Sequence, residues 1–137
     1  MARRGRSGEA GSERRQAILQ AALAVFNAKG LAAATMDDIR AQSGASTGSI
    51  YHHFPGKEQL IAALYVEGYQ ALHGEMRAAL AGAPPAAAGV RGIVAAYLGW
   101  FERSPALGRF LLAAAGTEQV AAAAGAMLRD AAELEAL

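Results

Sequence analysis

The four residues Ser43-Gly44-Ala45-Ser46 divide two helical segments, each too short to hold its shape alone in water. On the upstream side, Thr35 followed three residues later by Asp38 is the aspartate form of a capping box, so a helix opens at Met36 with Ile39 as its buried contact. Gly44 is the residue able to take the positive φ of a sharp turn between crossing helices. Ser46 then caps a second helix, Thr47 to His53, which Pro55 ends because a residue before proline is pushed out of the α region. Two such helices persist only when mounted on a scaffold.

The second helix is two-faced. Ile50 and Phe54, four apart, form its buried stripe, whereas Thr47, Gly48, Ser49, Tyr51 and His52 present hydroxyls, an imidazole and one glycine that lets backbone approach a partner. Lys57, beyond the Pro55-Gly56 bend, adds a fixed cation at the start of the next helix. Helix, glycine turn and polar second helix form a helix-turn-helix arrangement, whose second helix lies in the major groove of DNA. For Thr35, Ser46 and Ser49 a role as caps and turn formers also fits; capping and phosphate contact are compatible at a helix start.

Charge supports the same division. The net charge of +1 conceals an N-terminal part, residues 1–57, with eight Lys or Arg against four Asp or Glu, and a remainder with five against eight. The first part suits a polyanion; the second does not. Residues 1–11 lack periodicity and are expected to be disordered, with Arg3, Arg4 and Arg6 either a solvated tail or an arm reaching a phosphate or the minor groove. A first helix from about Glu13 to Lys29, with Ser12 a candidate cap, carries Ile18, Leu19, Ala22, Leu23, Val25 and Phe26 as core, and Gly30 closes it.

The run TMDDI, SGAS and TGSIYHHFPGK resembles the DNA-binding domain of TetR-family (tetracycline-repressor-type) transcriptional regulators, and the likeness extends back through Gln16 and forward to Tyr65. The resemblance implies phosphate contacts from Thr35, Ser46, His53 and Lys57, and base or mixed contacts from Thr47, Gly48, Ser49, Tyr51 and His52. Two residues depart from the family pattern: Thr47 stands where many relatives have lysine, and Arg40 where the position is usually small. Expected partners are therefore a double-stranded DNA operator, a second copy of the chain and a small-molecule effector. A repressor on a palindromic site with half-sites about 34 Å apart is the implied activity.

Behind the head, residues 57–80 read as a connecting helix with the stripe Leu60, Leu64, Gly68, Leu72, Met76 and Leu80. The segment Ala81 to Gly89 reads as a linker broken by Pro84 and Pro85, followed by a helix from Val90 to Arg103 with Ile93, Val94, Tyr97, Leu98 and Phe101 inward. Ser104-Pro105 restarts a helix carrying Leu107, Phe110, Leu111 and Ala114, and Thr117 caps a last one carrying Val120, Leu128 and Leu134. Tyr65, Tyr69, Tyr97, Trp100, Phe101 and Phe110 admit two readings, core packing or an effector pocket.

The expected architecture is all-α: an arm (1–11), a three-helix helix-turn-helix head (12–57) and a helical effector-binding or dimerisation domain (58–137). The last helix has no stop signal and relatives are typically longer, so a shortened helical bundle is expected. The alternative is a module that pairs with a full-length relative without gripping DNA itself.

Enzymatic chemistry finds little support. Adjacent His52 and His53 point about 100° apart on a helix and do not chelate as an i, i+4 pair would, His73 lacks further ligands at metal spacing, and Ser46 and Ser49 lack a nucleophile's context. No metal, cofactor or catalytic residue is expected. The absence of cysteine fits a reducing cytoplasm, and the charge-free stretch Ala78 to Val90, interrupted by Pro84 and Pro85, is too short to cross a bilayer.

Overall fold

In a computed structural model of the chain, the described residues are 3–118, 120–122 and 125. Six helices are bounded within them: α1 (Arg3–Lys29), α2 (Met36–Ser43), α3 (Thr47–His53), α4 (Lys57–Ala79), α5 (Ala86–Arg103) and α6 (Pro105–Ala114). No strand occurs among the described residues, and the fold is all-α. The chain divides into two compact units, Met1–Ala63 and Leu64–Leu137, so the division falls within α4.

In the first unit, α1 contributes Ile18, Leu19, Ala22, Leu23, Val25 and Phe26 to a core shared with Ile39 of α2, Ile50 of α3, Phe54, and Leu60 and Ile61 of α4. Each fully buried aliphatic side chain contributes about 1.5–3 kcal/mol relative to exposure. That core is the mount a seven-residue helix needs. The main correction concerns α1, which begins at Arg3 and not near Glu13, so the segment 3–11 expected to be disordered is helical. Extending a formed helix adds a backbone hydrogen bond per residue and needs no apolar face, although Gly5, Gly8 and Gly11 oppose it.

In the second unit the core holds Leu64, Leu72, Trp100, Phe110, Leu111, Ala114 and Val120. Close helix approach replaces bulk at two glycines. A Cβ on Gly68 would lie 3.0–3.2 Å from Leu111 and Leu107 of α6, and one on Gly108 would lie 2.6 Å from the Phe101 ring. Thr117 does act as a cap: its Oγ1 accepts from the Val120 N–H at 3.4 Å and donates to the Ala114 carbonyl at 2.8 Å. Leu128 and Leu134, expected further along, lie outside the described residues.

Two expectations for α5 fail. It starts at Ala86, directly after Pro85, because a proline at the boundary costs no helical hydrogen bond and three alanines come after it. It also turns a partly different face inward: Ile93 and Phe101 are half-buried, but Val94 is 52% and Leu98 55% exposed, and Tyr97 is partly so, whereas Gly89 and Trp100 are buried. The inner row runs Gly89, Gly92, Ile93, Ala96 and Trp100, and a Cβ on Gly92 would sit 3.4 Å from that of Ala79. Small residues let the backbones close up beside Ile93 and Trp100, and Val94 and Leu98 were left outside. At the next joint, Ser104 makes no side-chain cap; its backbone N–H donates to the Trp100 carbonyl at 2.8 Å while Pro105 opens α6.

Candidate nucleic-acid interface

Local hydrogen bonds fix both helices of the motif. Thr35 Oγ1 accepts from the Asp38 N–H at 3.1 Å, and Asp38 Oδ2 accepts from the Thr35 N–H at 3.1 Å, completing the capping box. Gly44 takes φ 71° and donates its N–H to the Arg40 carbonyl, closing α2 where a residue with a side chain would be strained. Ser43 Oγ donates to the Arg40 carbonyl at 3.0 Å and accepts from the Ala45 N–H at 3.1 Å, so the turn leaves few polar groups loose. Ser46 Oγ accepts from the Ser49 N–H at 3.1 Å, a cap of about 1 kcal/mol.

With Ile50 fully buried beneath it, α3 keeps Thr47, Gly48, Tyr51 and His52 exposed, with Ser49 and His53 half-buried at its flanks. Tyr51 is 49% exposed, and no atom lies within 4 Å of where a Gly48 Cβ would be. The His52 and His53 rings meet edge to face at 5.2 Å. Thr35 and Ser46 are exposed at the starts of α2 and α3. Thus eight of the nine residues expected to touch DNA lie on or beside α3 or at the start of α2, with side chains outward or flanking.

Lys57 is different. Its Nζ donates to the Leu31 carbonyl at 2.7 Å and to that of Ala32 at 3.1 Å, tying the start of α4 to the turn after α1. The cation expected to meet phosphate is committed to the backbone that positions α2. Arg40 likewise pairs with Asp37 at 3.1 Å on α2's own surface.

Sequence reasoning also missed residues whose partners are distant in the chain. Lys29 Nζ meets Asp38 Oδ1 at 2.9 Å, joining the end of α1 to α2. That hydrogen bond, with those from Thr35, holds the Asp38 carboxyl below its ordinary value. The Arg15 guanidinium lies 5.1 Å from the centroid of the Phe54 ring. Arg14 lines two clefts beside α3, of about 330 Å³ and 690 Å³, with Ser46 and Ser49 on the facing wall of both. No local pattern marks which side of α1 faces α3, so these contacts had no signal in the sequence.

Of the six aromatic residues that admit core packing or an effector pocket, Tyr65 and Tyr69 stack at 5.8 Å along α4, and Tyr69 lies 4.0 Å from His73. Along α5, Phe101 contacts Tyr97 at 4.8 Å and Trp100 edge-on at 5.2 Å. Trp100 and Phe110 are core residues, 4% and 1% exposed. Among the described residues no group of three His, Cys, Asp or Glu is placed to hold a metal, and no helix is long and apolar enough to cross a membrane.

The family model for bacterial regulatory proteins of the tetR family matches residues 18–64, from the core of α1 into α4. The transcriptional repressor KstR2 of Mycolicibacterium smegmatis is 44% identical over 50 residues, 36% of this chain and 24% of that protein. A solved tetR-family regulatory protein from Rhodococcus RHA1 superposes with a TM-score of 0.72 at 30% identity, covering 82% of this chain and 60% of that one. The solved complex of SmeT with triclosan gives 0.66 at 26% identity, covering 86% and 60%. The chain thus spans less than two thirds of each relative. Residues 18–64 thus form a helix-turn-helix head of the tetR-family type.

Proposed function

We propose that the protein is a sequence-specific, DNA-binding transcriptional regulator of the repressor type, reading a palindromic operator as a dimer and releasing it when a small molecule binds. One observation carries this reading: a seven-residue helix, pinned from below by Ile50 and Phe54 and capped by Ser46, holds Thr47, Gly48, Tyr51 and His52 outward. A recognition helix enters the major groove with its N-terminal residues on base edges. Hydroxyl and imidazole groups both donate and accept there, and the bare Gly48 lets the backbone close on the duplex. Thr35, Ser46 and His53 then meet phosphates, with Ser49 at the border of base and backbone. With threonine at position 47 and no lysine or arginine in α3, bidentate guanine reading is absent from this helix.

Release by a ligand is supported by the SmeT complex with triclosan and by the two aromatic ladders of the second unit. Linkage sets its condition: a ligand that loosens DNA must prefer the state in which the heads are misplaced, and DNA weakens that ligand by the same factor. Gel shift with DNA flanking the protein's own gene tests the reading. The expected result is a retarded complex, lost with Tyr51→Ala, protecting two half-sites about 34 Å apart. Absence of any shift at low salt overturns it.

A further inference from the structure

We propose that the groove between α1 and α3 seats a backbone phosphate of the bound DNA, with Arg14 supplying the cation that the reading helix lacks. The inference rests on α3 reading DNA, and adds a contact from outside the matched segment, since Arg14 precedes residue 18.

Elimination leads to this residue. The described side chains of the first unit include five cations: Arg14, Arg15, Lys29, Arg40 and Lys57. Lys29 is paired with Asp38, Arg40 with Asp37, Lys57 with two carbonyls, and Arg15 lies over Phe54. Among these described cations Arg14 alone has no such partner, and it is exposed. DNA binding draws its affinity chiefly from neutralised phosphates, and among the described cations of the head Arg14 is the one left to meet them.

Geometry places Arg14 where a phosphate arrives. It lines both clefts beside α3, and the larger, about 690 Å³, has Gly48, Ser49 and His52 on its far wall, two of them from the outward face of the reading helix. Ala10 and Gly11, four and three residues before Arg14 on the same side of α1, keep the near wall low. Among the described residues no carboxylate lines either cleft. A duplex laid on α3 brings a sugar-phosphate strand to the mouth of this groove, where the guanidinium fork donates two N–H groups to phosphate oxygens and Ser46 Oγ offers a third donor.

The test titrates a mixed-sequence duplex and the DNA flanking the gene with wild type, Arg14→Ala, Arg14→Lys and Tyr51→Ala, each over a series of salt concentrations. Arg14→Ala is expected to weaken both duplexes by about tenfold and to lower the slope of log affinity against log salt by about one. Arg14→Lys keeps the slope and loses part of the affinity, because it retains charge without the fork. Tyr51→Ala weakens the flanking DNA more than the mixed duplex and leaves the slope unchanged. If wild type binds and Arg14→Ala matches it in affinity and slope, the groove contact fails while the reading of α3 stands. If wild type binds neither duplex at low salt, both fail.

Discussion

The two units of the chain solve the same problem, holding short helices together, by opposite means. In the head, polar residues at helix ends set the geometry: Thr35 with Asp38, Gly44, Ser46 and the Pro55 stop each act within a few residues of themselves. In the rear unit, helices close on one another through missing side chains, at Gly68 against Leu107 and Leu111 and at Gly108 against Phe101. End chemistry is local and fixes where a helix starts and which way it leaves. Small-residue packing is a property of two surfaces, and it fixes which face is buried only once the partner is known.

That contrast can be broken most forcefully in the rear unit. Phe110→Ala removes a ring 1% exposed and is expected to cost about 3–5 kcal/mol, whereas Val94→Ser, on the outer face of α5, stays within about 0.5 kcal/mol. Denaturant melts compare the two; equal losses would mean that α5 has been assigned the wrong inner face. Glycines sharpen the point. Gly108→Ala drives a methyl into the Phe101 ring and should cost about 1–3 kcal/mol, while Gly48→Ala meets open space. The latter is expected to hold or raise stability by up to about 1 kcal/mol and yet weaken DNA binding, because the obstruction faces the duplex.

Smaller effects belong to the head. Lys57→Ala leaves two carbonyls of the α1–α2 connection without their cation, a loss of about 1–2 kcal/mol read as a lower Tm. A change in salt slope with no change in Tm would instead return Lys57 to the phosphates. Asp38 makes the pH dependence specific. Its carboxyl is held below the ordinary 3.8 by Lys29 first and Thr35 second, so its stabilising contribution is complete above that value and is lost as pH falls through the lowered one. Asp38→Asn should therefore be less stable than wild type at neutral pH, with the gap closing in acid. A gap that does not vary with pH would separate the carboxylate from α2's stability.

Legibility in the sequence divides along the same line. Helices α2, α3 and the start of α4 were legible to the residue, since Thr35, Gly44, Ser46 and the Pro55-Gly56 bend are signals that act where they stand. Of the outward set Thr47, Gly48, Ser49, Tyr51 and His52, read beside the Ile50 and Phe54 stripe by helical spacing, all but the half-buried Ser49 are exposed. The features that escaped depended on distant partners. Lys57 has the sequence context of a surface cation, yet the Leu31 carbonyl, 26 residues back, holds it. Val94 and Leu98 have the bulk of core residues, whereas Gly89, Gly92 and Ala96 form the contact row. Helix α1 runs ten residues beyond its expected start, since helix propagation leaves no apolar mark.

The exposed ring of Tyr51 is where the account is most directly tested. Fluorescence anisotropy of wild type and Tyr51→Ala, on DNA flanking the gene and on a mixed-sequence duplex, reads affinity and specificity together, with Tm measured alongside. The account predicts an unchanged Tm, a preference of wild type for the flanking DNA, and a loss of about 1–3 kcal/mol of that preference in the variant. Equal affinities of the two proteins for the flanking DNA, at equal Tm, would contradict it.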